Sequence, residues 1–228
     1  MATNWWRTLE LRWFVAGSIP PAVERWFVAD ERFDHPLTSP EREERIDCYL
    51  IPFGAHDLGV KLREGRLEIK RRIGSHRILR VNDVVRGVPE AWAKWMWRHS
   101  GGCPTGRGDW EWGEFRAEVS KVRWRRRLHL RHDADPPIAS DHPETGFTVD
   151  LTQVVLERRP WWTLSFHVNS DFLDDPVATL REAASWTLER FPDGAGVSLR
   201  SENSFSYPVW LGTCGSDGRA AKIRAGDG

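Results

Sequence analysis

The sequence predicts an α+β chain: an antiparallel sheet, closed or nearly closed into a barrel with a polar, basic interior, and helices packed on its outside. Three observations lead there. Most segments with strand character alternate with period two, one face apolar and the other polar. Helical segments are few. The polar faces collect cations, although the chain carries 33 Lys+Arg against 33 Asp+Glu and a formal net charge of +0. Alternation alone fits an open sheet with one face in water, or a barrel with its polar face turned inward. The segregation of charge favours the barrel. A solvated face intersperses signs, whereas a concave basic wall focuses its field on an anion.

In chain order, Arg7 to Val15 reads as a strand with Leu9, Leu11 and Trp13 on one face and Thr8, Glu10 and Arg12 on the other. Pro20 to Ala29 predicts a helix with prolines in its first turn, and Ser39 to Arg45 another behind a serine cap and Pro40. Asp47 to Ile51, Val60 to Arg63 and Arg66 to Arg72 predict strands, the last two joined by a two-residue turn at Glu64-Gly65. Weaker strand signals lie at Arg77 to Val81 and Glu114 to Val119. Pro89 to His99 predicts a helix, because Trp92, Trp95 and Met96 recur at three- and four-residue spacing. Lys121 to Leu130, Phe147 to Leu156, Trp161 to Val168 and Ser204 to Leu211 predict strands. Between the first two of these, His132 to Thr145 reads as a loop carrying Pro136, Pro137 and Pro143. Asp175 to Phe191 predicts a helix, with an Asp cap, Pro176 at its first position and a stripe of Val177, Leu180, Ala184 and Leu188.

The 228 residues, 40% hydrophobic and 29% charged, suit a globular chain. Residues 1–211 read as one domain and 212–228, rich in Gly, Ala and charge, as a flexible tail. No apolar run approaches the ~20 residues that span a bilayer, and the start lacks the basic and apolar regions of a signal peptide. Cys48, Cys103 and Cys214 are an odd set without tight spacing, which suits a reducing cytoplasm and offers no zinc site. Neutral balance argues against a nucleic-acid coat. Of the 14 tryptophans, Trp5, Trp6, Trp161 and Trp162 read better as helix-to-sheet packing than as base-stacking platforms. GGCPTGRG at Gly101 to Gly108 lacks the Lys and Ser/Thr of a phosphate loop and follows a predicted helix, so it reads as an ordinary loop.

The hairpin at Glu64-Gly65 carries the most information. Residues flanking a two-residue turn pair directly and share a face. Arg63 then faces Arg66 and Lys61 faces Glu68, with Lys70 and Arg72 beyond. Like charges opposed across a ladder are destabilising, so the arginine pair calls for an anion. The later strand repeats the pattern, with Lys121, Arg123, Arg125, Arg127 and His129 on one face. Arg126 stands as an exception on the apolar face. Arginine suits bidentate phosphate contacts and lysine acts as a point charge. Against these cations stand only Glu10, Glu68 and Asp150. Glu10 and Asp150 are placed to meet across a barrel interior, where they would either hold Mg²⁺ or Mn²⁺ or neutralise neighbouring arginines.

These stretches resemble the CYTH family, the triphosphate tunnel metalloenzymes. The family's opening E-x-E-x-K is matched by Thr8-Leu9-Glu10-Leu11-Arg12, and its Asp-Tyr strand by Asp47-Cys48-Tyr49-Leu50. Its hairpin is similar to Leu58 to Lys70 and its basic strand to Val119 to Leu128. Asp150 and His167 are the nearest positions to its late acidic strands. The resemblance runs over roughly residues 7 to 211 and is most specific in the hairpin.

The resemblance implies an antiparallel tunnel of about eight strands that binds triphosphate, polyphosphate or a nucleoside triphosphate, with hydrolysis assisted by Mg or Mn. On it, Arg63, Lys70, Arg123 and Arg125 would hold phosphates, with Arg12 and Lys61 assisting and Arg72, Lys121 and Arg127 on the same face. Glu10, Glu68 and Asp150 would hold the metal. Thr8 and His167 stand where the family has Glu, so the phosphate-gripping side is kept and the metal side depleted. Two alternatives follow: a non-catalytic module that binds polyphosphate or nucleotide, and an open basic sheet that binds RNA.

Overall fold

The computed structural model describes residues 4–29, 39–50, 55–98, 116–129, 138–139, 146–192 and 196–214. Its strands are β1 (Asn4–Ala16), β2 (Glu41–Leu50), β3 (Leu58–Arg63), β4 (Arg66–Ser75), β5 (Leu79–Arg80), β6 (Arg86–Gly87), β7 (Glu90–Arg98), β8 (Arg116–His129), β9 (Ile138–Ala139), β10 (Phe147–Leu156) and β11 (Arg159–Asn169). The helices are α1 (Pro21–Ala29), α2 (Pro176–Leu188) and α3, residues 207–214. Eight strands close on themselves in the order β10-β11-β1-β7-β4-β3-β2-β8, because β8 pairs back onto β10. Every pairing round the ring is antiparallel. Closure leaves no unpaired edge in the ring.

Register decides which side chains enter the bore. On β1, Glu10 lies opposite His167 and Arg12 opposite Ser165. On β8, Arg125 lies opposite Asp150 and Arg123 opposite Thr152. The alternate residues face out under the helices. Leu9, Leu11 and Trp13 of β1 join Val149, Leu151, Leu164 and Phe166 in a core covered by α1 and α2. α2 starts as its sequence predicts, with the Asp175 carboxylate accepting from Val177 and Ala178 N–H. Arg126, on the outer face of β8, donates to the Phe27 and Val28 carbonyls at the end of α1. That satisfies acceptors which a helix terminus leaves open.

A second apolar cluster lies inside the ring. Phe14, Ala117, Val119, Val154 and Leu156 come from the inner faces of β1, β8 and β10, and pack against Tyr207, Trp210 and Leu211 of α3. One end of the bore is therefore apolar and filled, and the other is charged.

The structure corrects three expectations. Ser39 to Arg45 is not a helix: residues 41–45 begin β2, where Glu41 and Glu43 lie opposite Arg125 and Arg123. Opposite charges across a ladder stabilise the pairing, and in a polar bore they take the place of an apolar stripe. Pro89 to His99 is β7 rather than a helix, with Trp92 turned inward and Trp95 outward. Tryptophans on both faces hide the period of two. Ser204 to Leu211 is not a strand: Ser204 makes a single bridge to Trp13, and α3 follows. Tyr207, Trp210 and Leu211 form an i, i+3, i+4 stripe with Pro208 in the first turn. Residues 212–214, grouped with the tail by sequence, complete that helix. Within the loop predicted over His132 to Thr145, residues 138–139 form β9 and pair with the end of β8, while the rest of that loop, the loop at 101–108 with Cys103, and residues 215–228 lie outside the described residues.

Candidate anion-binding bore

The charged end of the barrel encloses a cavity of about 220 Å³. Nine basic side chains and three carboxylates line it. In a chain of zero net charge, this concentrates cations on one enclosed surface. Low-dielectric walls strengthen their field on any anion within.

Each carboxylate is already gripped by cations. Asp47, fully buried on β2, accepts two hydrogen bonds from Arg63 at 2.7 and 3.0 Å and one from Lys121 at 2.8 Å. Lys121 also donates to the Tyr49 hydroxyl at 2.6 Å and lies 3.8 Å from the Tyr207 ring centroid. Burial alone would raise the Asp47 carboxyl, but Lys121, Arg63 and Lys61 outweigh it and hold it far below its usual range. Arg125 clamps Asp150 bidentately at 2.7 and 2.9 Å, and again the cation outweighs burial and keeps the carboxylate ionised. Glu10 sits between Lys70 at 3.4 Å and Lys94 at 2.5 Å, which hold it ionised against burial in the same way. Glu68 pairs with Lys61 at 2.5 Å and Arg63 at 3.4 Å. These contacts orient the lysines and arginines, and with Asp47 behind the wall and Glu43 on Arg45 and Arg123, nine cations meet five carboxylates.

Arg12 differs from the rest. Among the described residues it meets no carboxylate. Its guanidinium contacts Thr163 Oγ1 at 3.1 Å and His167 Nε2 at 3.3 Å, and lies 4.9 Å from the Tyr207 ring centroid. Its Nε, like those of Arg45 and Arg123, is buried without a hydrogen-bond partner among the described residues.

His167 lies between Glu10, 3.7 Å from Nδ1, and Asp150, 3.6 Å from Nε2. Burial pushes its pKa down to about 4, so the ring is neutral at pH 7. Arg12 only donates, so Nε2 is the acceptor and the ring proton sits on Nδ1, toward Glu10.

The bore unites most residues singled out by sequence: Arg12, Lys61, Arg63, Lys70, Lys121, Arg123 and Arg125 all line it. Arg72 is on the inner face but paired with Glu90 at 2.8 Å, away from the cavity lining. Arg127 sits exposed and paired with Glu41. The candidate metal ligands do not fit a cage for Mg²⁺ or Mn²⁺. Glu10 and Asp150 face different nitrogens of one imidazole, and Glu68 belongs to the Lys61–Arg63 group. Among the described residues, no three of His, Cys, Asp and Glu converge as ligands. Sequence reasoning left Arg45, Asp47, Tyr49, Lys94 and Tyr207 out of the site. The alternation of Glu41, Glu43, Arg45, Asp47 and Tyr49 was the signal for three of them.

No protein-family model matches the sequence, and no curated protein matches it. Among solved structures, the S. pombe Pct1 RNA triphosphatase in complex with the Spt5 CTD is 9% identical, with 85% of this chain and 80% of that chain covered and a TM-score of 0.36. The Yersinia pestis outer membrane protein Ail in a phospholipid bilayer nanodisc is 10% identical, with 72% and 99% covered and a TM-score of 0.19. Likeness at these scores carries no functional weight. No helix among the described residues is long and apolar enough to cross a membrane.

Proposed function

We propose that the bore receives a small phosphate-rich anion: inorganic triphosphate, the terminal phosphates of polyphosphate, or the triphosphate of a nucleotide. The observation that carries this reading is the excess of nine basic side chains over three carboxylates around one cavity. Arg12 lines the cavity with no carboxylate partner among the described residues, and the bidentate geometry of arginine matches phosphate oxygens. The carboxylates set the positions of the cations, so the pocket is organised before the ligand arrives.

Thermal unfolding with triphosphate, pyrophosphate and ATP tests it, each in EDTA and with Mg²⁺ or Mn²⁺. A ligand at a hundred times its Kd stabilises by about 2.7 kcal/mol. Triphosphate is expected to raise Tm in EDTA, and no shift with any of the three would overturn the reading. The same mixtures assayed for orthophosphate address hydrolysis. Release of phosphate only with Mg²⁺ or Mn²⁺ would favour a metal-dependent hydrolase, with the metal carried on the phosphate chain.

A further inference from the structure

We infer that Tyr207 of α3 is the floor of the bore, so that the pocket takes the end of a linear phosphate chain and sets how many phosphates it counts. The inference rests on the anion-binding reading above and adds a length limit to it.

The floor is built from several contacts. α3 lies against the inner faces of at least four strands. Its Tyr207 stacks on Tyr49 of β2 with ring centroids 5.5 Å apart, and meets Phe14 of β1 edge-on at 5.1 Å. Trp210, with no exposed surface, stacks on Phe14 at 4.9 Å. Gly59 of β3 has no Cβ, and one placed there would lie 3.3 Å from Pro208. The helix is thus seated within the ring, and its apolar face fills that end.

Tyr207 is also where the filling meets the charged cavity. It lines that cavity, and its ring faces Lys121 at 3.8 Å and Arg12 at 4.9 Å. A phosphate chain entering from the charged end runs past Arg125 and Arg123 and reaches Arg12 at the ring. Beyond it the environment is aromatic and dry, where an anion without partners is strongly disfavoured. Further phosphates must remain outside, toward solvent. A bore open at both ends would instead let an internal stretch of polyphosphate thread through, and every added phosphate would add sites.

Calorimetry on the full chain with pyrophosphate, triphosphate, tetraphosphate and long-chain polyphosphate separates these cases. The expected result is affinity that rises with length and then levels off when expressed per chain end. Tyr207→Ala, with Tyr207→Leu as the better-packed alternative, is expected to move that plateau to longer chains. Affinity that keeps rising per chain end with length in the wild type overturns the inference while leaving anion binding intact. So does an unmoved plateau in either variant that retains a cooperative melt. Failure of the wild type to bind any member of the series removes the anion-binding reading itself.

Discussion

Arg12 and Arg63 carry the same charge, but the protein uses them differently. Arg63 supplies two of the three hydrogen bonds to the buried Asp47 and Lys121 the third, and losing charge-assisted bonds of this kind costs about 1.5–3 kcal/mol. Arg63→Met is expected to lower stability by about that amount in denaturant titration. Arg12 meets no carboxylate among the described residues, so Arg12→Met should hold or raise Tm. It should also weaken triphosphate by roughly 10- to 100-fold, the worth of one charge-assisted hydrogen bond or two. Arg12 and Arg63 were both legible, because each alternates with apolar neighbours on a strand of clear period. Lys94 was not, because its neighbours Trp92 and Trp95 leave both faces apolar. Gly87 marks close packing: a Cβ there would lie 2.6 Å from Leu11 Cδ1 and 2.9 Å from Trp13 Cζ2. Gly87→Ala is therefore expected to cost about 1–3 kcal/mol of overpacking, measured by chemical unfolding.

At the scale of elements, two hairpins turn in the same way. Glu64 and Gly65 have φ of 46° and 73°, and Glu157 and Arg158 have φ of 51° and 64°. Positive φ at both central residues matches the twist of the flanking strands and favours Asn-Gly or Gly there. The first turn was readable because Gly65 announces it. The second carries no such residue, and only the tertiary pairing of β10 with β11 holds it. Arg158→Gly is expected to stabilise by about 1 kcal/mol, since a non-glycine residue in the left-handed region costs about 1–2 kcal/mol. Two of the elements that the sequence pattern conceals share one cause. β2 and β7 form the inside of a charged bore, where the usual contrast between buried apolar and exposed polar faces disappears. α3 has the pattern of a strand in its sequence because its residues alternate over Phe205, Tyr207, Val209 and Leu211, while Tyr207, Trp210 and Leu211 use the helical spacing.

For the molecule as a whole, the lysines of the bore couple charge, stability and binding. Burial and the nearby Arg63 push Lys61 down to about 7, and burial pushes Lys70 to about 8. An unfolded lysine titrates near 10.4, so above pH 7 the unfolded chain binds more protons than the native one. The ligand-free protein should then gain stability as pH rises from about 7 towards 10. Anion affinity should fall over the same interval, because the lysines lose the charge that attracts the ligand. At the acid end, Glu10, Asp47 and Asp150 are held below their ordinary values, and stability should be lost as pH drops below about 4. The barrel was legible from strand alternation and segregated cations. Its filled end was not, because no local pattern says which helix enters a ring.

The central claim is that inward-facing lysines and arginines form an anion receptor whose carboxylates serve the cations. It is tested most directly by calorimetric titration with inorganic triphosphate in EDTA at pH 7.5, in two buffers of different ionisation enthalpy. The expected result is one triphosphate per chain with net proton uptake as the bore lysines recharge. Absence of binding, or binding that appears only when Mg²⁺ or Mn²⁺ is supplied, would contradict it.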